Sequence, residues 1–502
     1  MSIWNKNKKR RKYQKLNEDL SVDILIIGGG LTGLNTAYYL QDKDICIVEA
    51  NEIGFGVTLN STAKINYLQE GIYNQIINDS NELNASIYLK SQKDAIKYLK
   101  EIIEKENIDC DFEKVPSYLF ANSKEEINIL EKEVSFLKKN GIDIKENELP
   151  ISNRSYKSYY VMDTYIFNPY KYLLGLSKIL KNKINIYEKT RIFNIVKEDD
   201  YYYCYTKDNV IKAKKVILAC HYPFFLFPMI MPIRCSIEKS YIIVSKVKED
   251  GNFTCINVDY PIYSCRFYND GKNIYQLSVS KSNSLANLQD DKYYFKRVKE
   301  IFGLKEEDII MQYTNTDILT PDHMPYIGKI KENMYIGVGY NTWGMTNSVL
   351  AANLIANEIL YQKNEYKKVF NPNRFPLANI MKLPKYFYDN AKTFIGTKIN
   401  KNKSWYSNRV SFIKKNGESL AIYVDEFNNS HIVYNKCPHL GCSLIFNEVE
   451  KTWDCPCHSS RYDIDGYRIK GPSNYDITYK SKENMEFNSE IKDNNQENNE
   501  TK

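Results

Sequence analysis

Short apolar runs alternate with amphipathic stretches along most of the chain. Residues 22–27 and 45–48 are apolar runs of the length of buried strands, and the helix-like residues 34–40 lie between them. This order of strand, turn, helix and strand predicts one βαβ unit. A further strand and glycine turn end at residue 339, and a helix is predicted over 348–361.

Longer segments of the chain differ in their periodicity. Residues 82–106 and 124–140 repeat apolar positions at helical spacing among many Lys and Glu, whereas residues 183–280 are largely strand-like. A second, short β-rich segment covers residues 403–480. The pattern predicts an α/β domain combined with an α+β region, followed by a small all-β domain.

The composition is that of a folded protein with unevenly distributed charge. Of 502 residues, 43 % are hydrophobic and 26 % are charged, which excludes a collagen, a coiled-coil rod and a disordered chain. The net charge of +7 is concentrated in residues 1–20, where seven Lys and Arg precede Glu18. This basic arm is predicted to be solvated, and it could bring the chain to an anionic partner or peripherally to a membrane surface. Because the rest is nearly neutral, no nucleic-acid partner is expected.

No segment of the sequence predicts a transmembrane helix. The one long apolar run, residues 216–233, is interrupted by three prolines and His221. The basic arm lacks the apolar core of a signal peptide, so a cytoplasmic location is predicted. Residues 481–502 are mainly Asn, Glu and Lys, and they are predicted to be disordered.

Three glycines occupy the turn of the predicted βαβ unit. Gly28, Gly30 and Gly33 allow a tight turn, close approach of a pyrophosphate, and close packing of the helix on the strand. Glu49 ends the second strand 21 residues after Gly28, where a carboxylate can accept hydrogen bonds from ribose hydroxyls. The unit therefore predicts a dinucleotide site, which this motif alone leaves open between FAD and NAD.

Two further segments resemble D-amino-acid-oxidase-like flavoproteins. GFGVTLNSTAK at 54–64 is similar to their second FAD-binding stretch, and GVGYNTWGMT at 337–346 resembles their C-terminal flavin-contacting motif. The resemblance spans about residues 20–362. It implies FAD as cofactor, a Rossmann-like α/β FAD-binding domain with an inserted α+β substrate domain, and hydride transfer from an amine or amino acid. The FAD contacts that it adds are Thr58, Ser61, Thr62, Gly339, Gly344, Met345 and Thr346.

The substrate-binding residues are less defined by the sequence. Arg266 lies on a strand-like stretch and is the candidate for pairing with a substrate carboxylate, with a solvated strand arginine as the alternative. Residues 278–282 contain Ser and Lys where the flavoprotein family has glycines. No catalytic base is identified.

Four cysteines and two histidines are concentrated in residues 437–458, as CPHLGC and then CPCH. Read as ligands, the pattern is C-x-H, fifteen residues, and C-x-x-H, which suits a Rieske [2Fe–2S] centre. A Cys₂His₂ zinc site is the alternative, but it leaves two cysteines without a role and usually has longer spacers. The predicted ligands are Cys437 and Cys455 to one iron, and His439 and His458 to the other.

The same segment resembles respiratory-type Rieske proteins. That resemblance implies a disulfide bond between Cys442 and Cys457, and hydroxyl hydrogen bonds from Ser460 and Tyr462 to sulfurs of the cluster or its ligands. Ser459 departs from the pattern, because a glycine is usual there.

The chain as a whole resembles bacterial FAD-dependent oxidoreductases with a C-terminal Rieske domain. The predicted divisions are a basic arm at 1–20, an oxidoreductase region at 21–370, a connector at 371–402, a Rieske domain at 403–480 and a tail at 481–502.

The predicted function is a dehydrogenase that oxidises a small organic substrate and passes single electrons through the cluster to an external acceptor, either a protein or a quinone-like molecule. One alternative is an electron carrier or redox sensor that works with a protein partner. Another is a cluster with a purely structural role. An oxygenase is not expected, because His221, His323 and His431 are far apart and cannot supply a closely spaced pair for a mononuclear iron.

Overall fold

The computed structural model describes residues 2–5, 10, 12–151, 155–222, 234–249, 251–282, 291–375, 382, 384 and 409–479. The chain divides into two compact units, Met1–Asp389 and Asn390–Lys502. The predicted tail, most of the predicted connector and residues 223–233 of the apolar run lie outside the described residues.

The first unit combines helices with two large sheets. Its helices are α1 (Leu31–Tyr39), α2 (Ile72–Asp79), α3 (Glu82–Lys105), α4 (Glu126–Lys139), α5 (Pro169–Leu180), α6 (Asp291–Phe302), α7 (Gly344–Ile359) and α8 (Lys367–Phe370). Its strands are β1 (Leu20–Ile27), β2 (Ile45–Val48), β3 (Lys64–Ile65), β4 (Glu113–Ala121), β5 (Lys145–Glu146), β6 (Lys157–Ile166), β7 (Asn185–Tyr187), β8 (Asn194–Glu198), β9 (Tyr201–Tyr205), β10 (Val210–Leu218), β11 (Ser236–Val247), β12 (Thr254–Asn257), β13 (Tyr263–Asn269), β14 (Ile274–Ser282), β15 (Ile309–Leu319), β16 (Tyr326–Lys331) and β17 (Met334–Val338). None of the described helices is long and apolar enough to cross a membrane.

The first sheet has eight strands, with the order β16-β17-β10-β1-β2-β7 and the hairpin β8-β9 joined to β10. Strands β17, β10, β1, β2 and β7 are parallel, which explains their continuous apolar sequences, because both faces of a parallel sheet are buried. The unit β1-α1-β2 is the predicted βαβ unit. The predicted α/β fold is confirmed.

The second sheet has nine strands, with the order β15-β11-β14-β13-β12-β4-β6-β3 and β5 beside β6. Its pairs are antiparallel except for β12 with β4. In register, Ser240 of β11 is opposite Lys281 of β14 and Asn315 of β15. Directly paired residues point to the same face of a sheet, so these three side chains share a face.

The N-terminal segment differs from the predicted solvated arm. Ile3 and Trp4 are 4 % and 1 % exposed, so they belong to the core. Arg10 forms ion pairs with Glu188 at 2.6 Å and Glu52 at 3.0 Å. Apolar anchors and buried carboxylates therefore hold the described part of this segment on the first unit; residues 6–9 and 11 lie outside the described part.

The second unit contains two small antiparallel sheets, as predicted for an all-β domain. One comprises β18 (Val410–Lys415), β19 (Glu418–Val424) and β20 (Ser430–Tyr434), and the other comprises β21 (Ile445–Asn447), β22 (Thr452–Asp454), β23 (Arg461–Tyr462) and β24 (Arg468–Lys470). The aromatic rings of Tyr423 and Trp453 pack on Phe446 with centroid distances of 4.4 and 4.7 Å. The two Cys/His motifs lie in the loops that follow β20 and β22.

Candidate active site and metal centre

The turn between β1 and α1 requires glycine. Gly28 has a φ of +119°, and a Cβ there would lie 2.6 Å from the carbonyl oxygen of Ala219, at the end of β10. A Cβ on Gly33 would lie 1.9 Å from the carbonyl oxygen of Gly28. Helix α1 begins after Gly30, and no side chain caps it. Its N-terminal N–H groups and positive dipole end therefore suit the phosphates of a dinucleotide.

Glu49 lies beside this turn. Its carboxylate accepts hydrogen bonds from the backbone N–H groups of Gly29 and Asn51, both at 2.8 Å. Burial raises the pKa of Glu49, although these two N–H donors oppose the effect. The carboxylate is thus fixed at the end of β2, as the predicted ribose contact requires.

Three segments that are distant in sequence lie next to one another, and two of them line a cavity. Thr32 of α1 shares a 2.9 Å hydroxyl hydrogen bond with Tyr340, and Ser61 Oγ lies 3.9 Å from the sulfur of Met345. A Cβ on Gly30 would lie 3.5 Å from the hydroxyl oxygen of Thr58. Residues 60–64 and 342–345 line this cavity.

Of the predicted FAD contacts, four line this cavity: Ser61, Thr62, Gly344 and Met345. The glycine turn, Glu49 and Thr58 do not line it, and two contacts of the C-terminal motif also lie elsewhere. Helix α7 begins at Gly344, four residues before the predicted start, so Thr346 is in its first turn. The Thr346 hydroxyl donates to Gln92 of α3 at 2.6 Å, and neither Thr346 nor Gly339 lines the cavity. Their predicted contact with FAD stays a prediction.

The opposite wall of the cavity is a polar face of the second sheet. It carries Ser240, Lys281, Asn315 and Asp317, at alternate positions of three neighbouring strands. The Lys281 ammonium donates to the Thr342 hydroxyl at 2.8 Å. This wall therefore brings charge and hydrogen-bonding groups into an otherwise buried space, a combination typical of small-molecule sites.

Charged groups around Lys281 are held in a network. Its ammonium contacts the carboxylate of Glu70 at 2.9 and 3.0 Å, and it lies 3.7 Å from that of Glu238. Burial lowers the pKa of Lys281, but the two carboxylates outweigh this effect and raise it overall. Burial also raises the pKa of Glu238 to about 7, and the Tyr260 hydroxyl donates to its carboxylate.

Lys64 is a second buried cation at the cavity. It donates to the Ser264 hydroxyl at 2.8 Å and lies 5.9 Å from the ring of Trp343. Burial lowers the pKa of Lys64 to about 8. The sequence predicts no role for Glu70 or Glu238 and places Lys64 only at the end of the FAD-binding stretch, because these residues come together only in the folded chain.

Arg266 fits neither of the two sequence interpretations. It is 1 % exposed, so it is not solvated, and it does not line the cavity. Its guanidinium donates to the backbone carbonyls of Thr62, Ala63 and Phe167 at 2.8–3.1 Å. The structure therefore corrects the predicted substrate anchor: the donors of Arg266 are directed at main-chain oxygens.

The four predicted iron ligands meet where two loops of the second unit approach each other. Cys437 and Cys455 are 1 % and 2 % exposed, and the rings of His439 and His458 are 4.9 Å apart. Hydrogen bonds from the Cys437 N–H to Cys442 O and from the Cys455 N–H to Ser460 O close the loops, at 2.8 and 2.7 Å.

The protonation states of three of the four side chains suit iron, whereas the hydrogen bond with Cys437, together with burial, raises the pKa of the Cys455 thiol. Hydrogen bonding from Cys455 lowers the pKa of the Cys437 thiol to about 6 despite burial, and Tyr462 and Ser460 act in the same direction. Burial lowers the pKa of His439 to about 4 and that of His458 to about 3. Thiolate and neutral imidazole are the forms that bind a metal.

The arrangement of the donor atoms favours two irons over one zinc ion. Ligands of one tetrahedral zinc lie within about 3.8 Å of one another. Among the described residues, no three of the four predicted ligands bring their donor atoms within 4.8 Å of one another. A sulfur pair and a separate nitrogen pair are what a Rieske centre requires.

The remaining two cysteines have a role of their own. Cys442 and Cys457 form a disulfide bond that joins the two ligand loops, which is the pairing that the resemblance implied. Their sulfurs and that of Cys455 lie within 4.8 Å of one another, but disulfide sulfurs are not thiolate ligands.

Two neighbours support the ligand loops. The Tyr462 hydroxyl lies 3.5 Å from Cys437 Sγ, and the Ser460 hydroxyl accepts the N–H of Ser473 at 3.0 Å. Ser459, where a glycine is usual, has a left-handed φ of +62°.

Comparison with known proteins identifies both parts. Residues 23–358 match the model of the family described as FAD dependent oxidoreductase. The chain belongs to the FAD-dependent oxidoreductase family. Residues 398–479 of this oxidoreductase match the Rieske [2Fe-2S] domain. The enzyme therefore uses FAD and one [2Fe–2S] cluster.

Two relatives match long stretches of this oxidoreductase. YhfW of Bacillus subtilis (strain 168), named as a Rieske 2Fe-2S iron-sulfur protein, is 29 % identical over 489 residues, which is 94 % of this chain and 96 % of that protein. Gamma-glutamylputrescine oxidoreductase of Escherichia coli (strain K12) is 24 % identical over 397 residues, covering 72 % of this chain and 89 % of its own. The crystal structure of glycine oxidase from Geobacillus kaustophilus has a TM-score of 0.58 at 15 % identity, covering 71 % of this chain and 99 % of its own, and shows the shared fold.

Two of the other described histidines lie next to carboxylates. His323 is 3.1 Å from Asp79 in the first unit. His431 lies between Asp465 and Asp425 in the second unit, at 2.7 and 3.4 Å.

Proposed function

We propose that this FAD-dependent oxidoreductase is a dehydrogenase of a small amine or amino acid, and that its electrons leave singly through the Rieske cluster to an external acceptor. The observation that carries the proposal is the polar wall of the cavity, with Lys281, Asn315 and Asp317 opposite the predicted flavin segments. Two relatives, a glycine oxidase and a gamma-glutamylputrescine oxidoreductase, act by name on an amino acid and an amine, which supports this substrate class.

The side chains of the cavity suit a small polar substrate. Lys64 and Lys281 provide cationic groups, and Asp317 provides an anionic one. A substrate that carries both an amine and a carboxylate can pair with both kinds of group. The charged lining favours a polar substrate over a purely apolar one, because contact with an apolar group further desolvates a charge.

The two cofactors have complementary capacities. When bound, FAD takes up two electrons as a hydride, whereas a [2Fe–2S] cluster takes up one electron at a time. The four cluster ligands, Cys437, His439, Cys455 and His458, belong to the same chain as the flavin site. A one-electron outlet in the chain therefore supports an acceptor that is a redox protein or a quinone-like molecule.

An anaerobic experiment tests both parts of the proposal. Purified holoenzyme is mixed with a panel of amines and amino acids, and flavin absorbance and low-temperature EPR are recorded on the same samples. We expect flavin bleaching, followed by the signal of a reduced Rieske cluster. A Rieske signal with dithionite but no bleaching by any compound would refute the substrate class.

The relay is tested separately with His439→Ala. This variant is expected to retain flavin bleaching by substrate and to lose fast reduction of a one-electron dye. The matched control is His431→Ala, which removes a histidine of the same unit that contacts Asp425 and Asp465, and it should leave both steps unchanged. Equal loss of both steps in His439→Ala would refute the relay.

A further inference from the structure

Residues 2–5 contact the predicted FAD-binding stretch from outside the cavity. The indole N–H of Trp4 donates to the carbonyl oxygen of Ser61 at 2.9 Å, and the Ser2 hydroxyl donates to that of Leu59. Trp4 is 1 % exposed, so its hydrogen bond is shielded from water. These residues lie before residue 23, where the match to the oxidoreductase family begins.

Arg266 binds the next two carbonyls of the same stretch. One of its terminal nitrogens donates to Thr62 O at 3.0 Å and to Ala63 O at 2.8 Å. Ala63 has a left-handed φ of +53°, a conformation that a non-glycine residue keeps only when its surroundings hold it. The charge-assisted hydrogen bonds from Arg266 keep Ala63 in this conformation.

Trp4 and Arg266 also contact each other. The guanidinium carbon lies 4.9 Å from the centre of the Trp4 ring, and the Trp4 ring packs edge-on against Tyr268 at 4.9 Å. A guanidinium on the face of an indole is attracted by the ring electrons, and more strongly in a dry environment. Removal of the indole would therefore remove the cation–π contact that positions Arg266, and it would also remove the hydrogen bond to the Ser61 carbonyl.

We propose that Trp4 and Arg266 form a clamp that positions residues 59–63 for FAD. Trp4 and Arg266 donate hydrogen bonds to the carbonyl oxygens of Ser61, Thr62 and Ala63. The same three residues line the cavity. Trp4 and Arg266 are positioning residues, and they set the affinity for FAD without touching it. The inference rests on the proposed role of Ser61 and Thr62 as FAD contacts.

The test measures FAD affinity in the full chain and requires no substrate. Apoprotein depleted of flavin is titrated with FAD, and binding is followed by flavin fluorescence. Trp4→Phe keeps a ring over Arg266 but removes the N–H donor, and it should raise the Kd for FAD about fivefold. Trp4→Ala removes both contacts and should raise it about tenfold or more.

Tyr13→Phe is the matched control. It removes one hydroxyl hydrogen bond of the same N-terminal segment, the 3.0 Å bond to Ser177 O on α5, away from the FAD stretch. Its Kd for FAD should stay within twofold of the wild type. The Rieske EPR signal per chain serves as the internal measure of intact protein in every sample.

Each result decides the proposal. A Kd that is unchanged in Trp4→Ala, with or without a lower melting temperature of the apoprotein, would show a purely structural role and overturn it. An equal rise in the Kd for FAD in Tyr13→Phe and in Trp4→Phe would also overturn the proposal. If Trp4→Ala does not fold, Trp4→Phe decides. Failure to find an amine substrate leaves this test unaffected, because turnover is not measured.

Discussion

The ammonium group of Lys281 lies 2.9 Å from a carboxylate oxygen of Glu70, and the two side chains are 6 % and 11 % exposed. Lys281 lies in the polar wall of the cavity, and its ammonium group also donates a hydrogen bond to the hydroxyl of Thr342, in the flavin-contacting motif. A buried ion pair contributes little net free energy, but removal of one partner strands the other charge in a medium that solvates it poorly.

Lys281→Met is therefore expected to lower the free energy of unfolding of the apoprotein by about 3–5 kcal/mol. The double variant Lys281→Met with Glu70→Gln should regain part of this loss, since the carboxylate nearest to the lost ammonium is neutral in it, whereas Glu238 at 3.7 Å still lacks its cation. Chemical denaturation measures both. The matched control is Lys90→Met, whose partner Glu365 is exposed, and it should change the stability little. An equal loss in Lys90→Met would contradict the argument.

Lys64 predicts a dependence of stability on pH. Its folded-state pKa of about 8 is below the usual value of 10.5, because burial disfavours the charged form. Between these two pH values the unfolded chain binds more protons than the folded one, so the free energy of unfolding should rise with pH.

From pH 8 to pH 10, we expect the free energy of unfolding of the wild type to rise on the order of 2 kcal/mol more than that of Lys64→Met. Urea unfolding at a series of pH values measures it. If the free energy of unfolding changes with pH by the same amount in both proteins, Lys64 does not titrate in this range.

Tyr462 predicts an effect on the cluster potential. Its hydroxyl lies 3.5 Å from the sulfur of Cys437, and a hydrogen bond to a ligand sulfur stabilises the more negative, reduced cluster. Tyr462→Phe should lower the midpoint potential in an EPR-monitored redox titration while leaving FAD unchanged. Tyr434→Phe, in β20, is the control and should leave the potential at the wild-type value. A shift of equal size in both variants would assign the effect to general packing.

Replacement of Ser459 by glycine is expected to stabilise the Rieske unit. It has a left-handed φ of +62°, and its buried hydroxyl has no hydrogen-bond partner among the described residues. Ser459→Gly removes both penalties and should stabilise the Rieske unit by roughly 1 kcal/mol. Ser459→Ala removes the hydroxyl only and separates the two contributions. Thermal unfolding followed by the visible circular dichroism of the cluster measures them, and a lower melting temperature for Ser459→Gly would contradict the prediction.

The sequence by itself determined the parts of this protein that depend on neighbouring residues. The glycine turn at Gly28 and Gly33 and the ligand spacing at Cys437 and Cys455 are short motifs, because a tight turn and a metal-binding loop are each built from consecutive residues. They were sufficient to predict a dinucleotide-binding α/β unit and the Rieske centre, whereas the choice of FAD came from the resemblance of residues 54–64 and 337–346 to flavoproteins.

Only the tertiary structure decided the features that depend on long-range packing. Tertiary packing brings Glu70, from the loop between β3 and α2, to Lys281 of β14 and near Glu238 of β11, and it directs Arg266 at main-chain carbonyls instead of a substrate. Trp4 lies in a segment whose charge predicted a solvated arm, yet the burial of Ile3 and Trp4 and the ion pairs of Arg10 hold this segment on the first unit. Burial and register are set by partners hundreds of residues away, and the order of residues along the chain does not specify them locally.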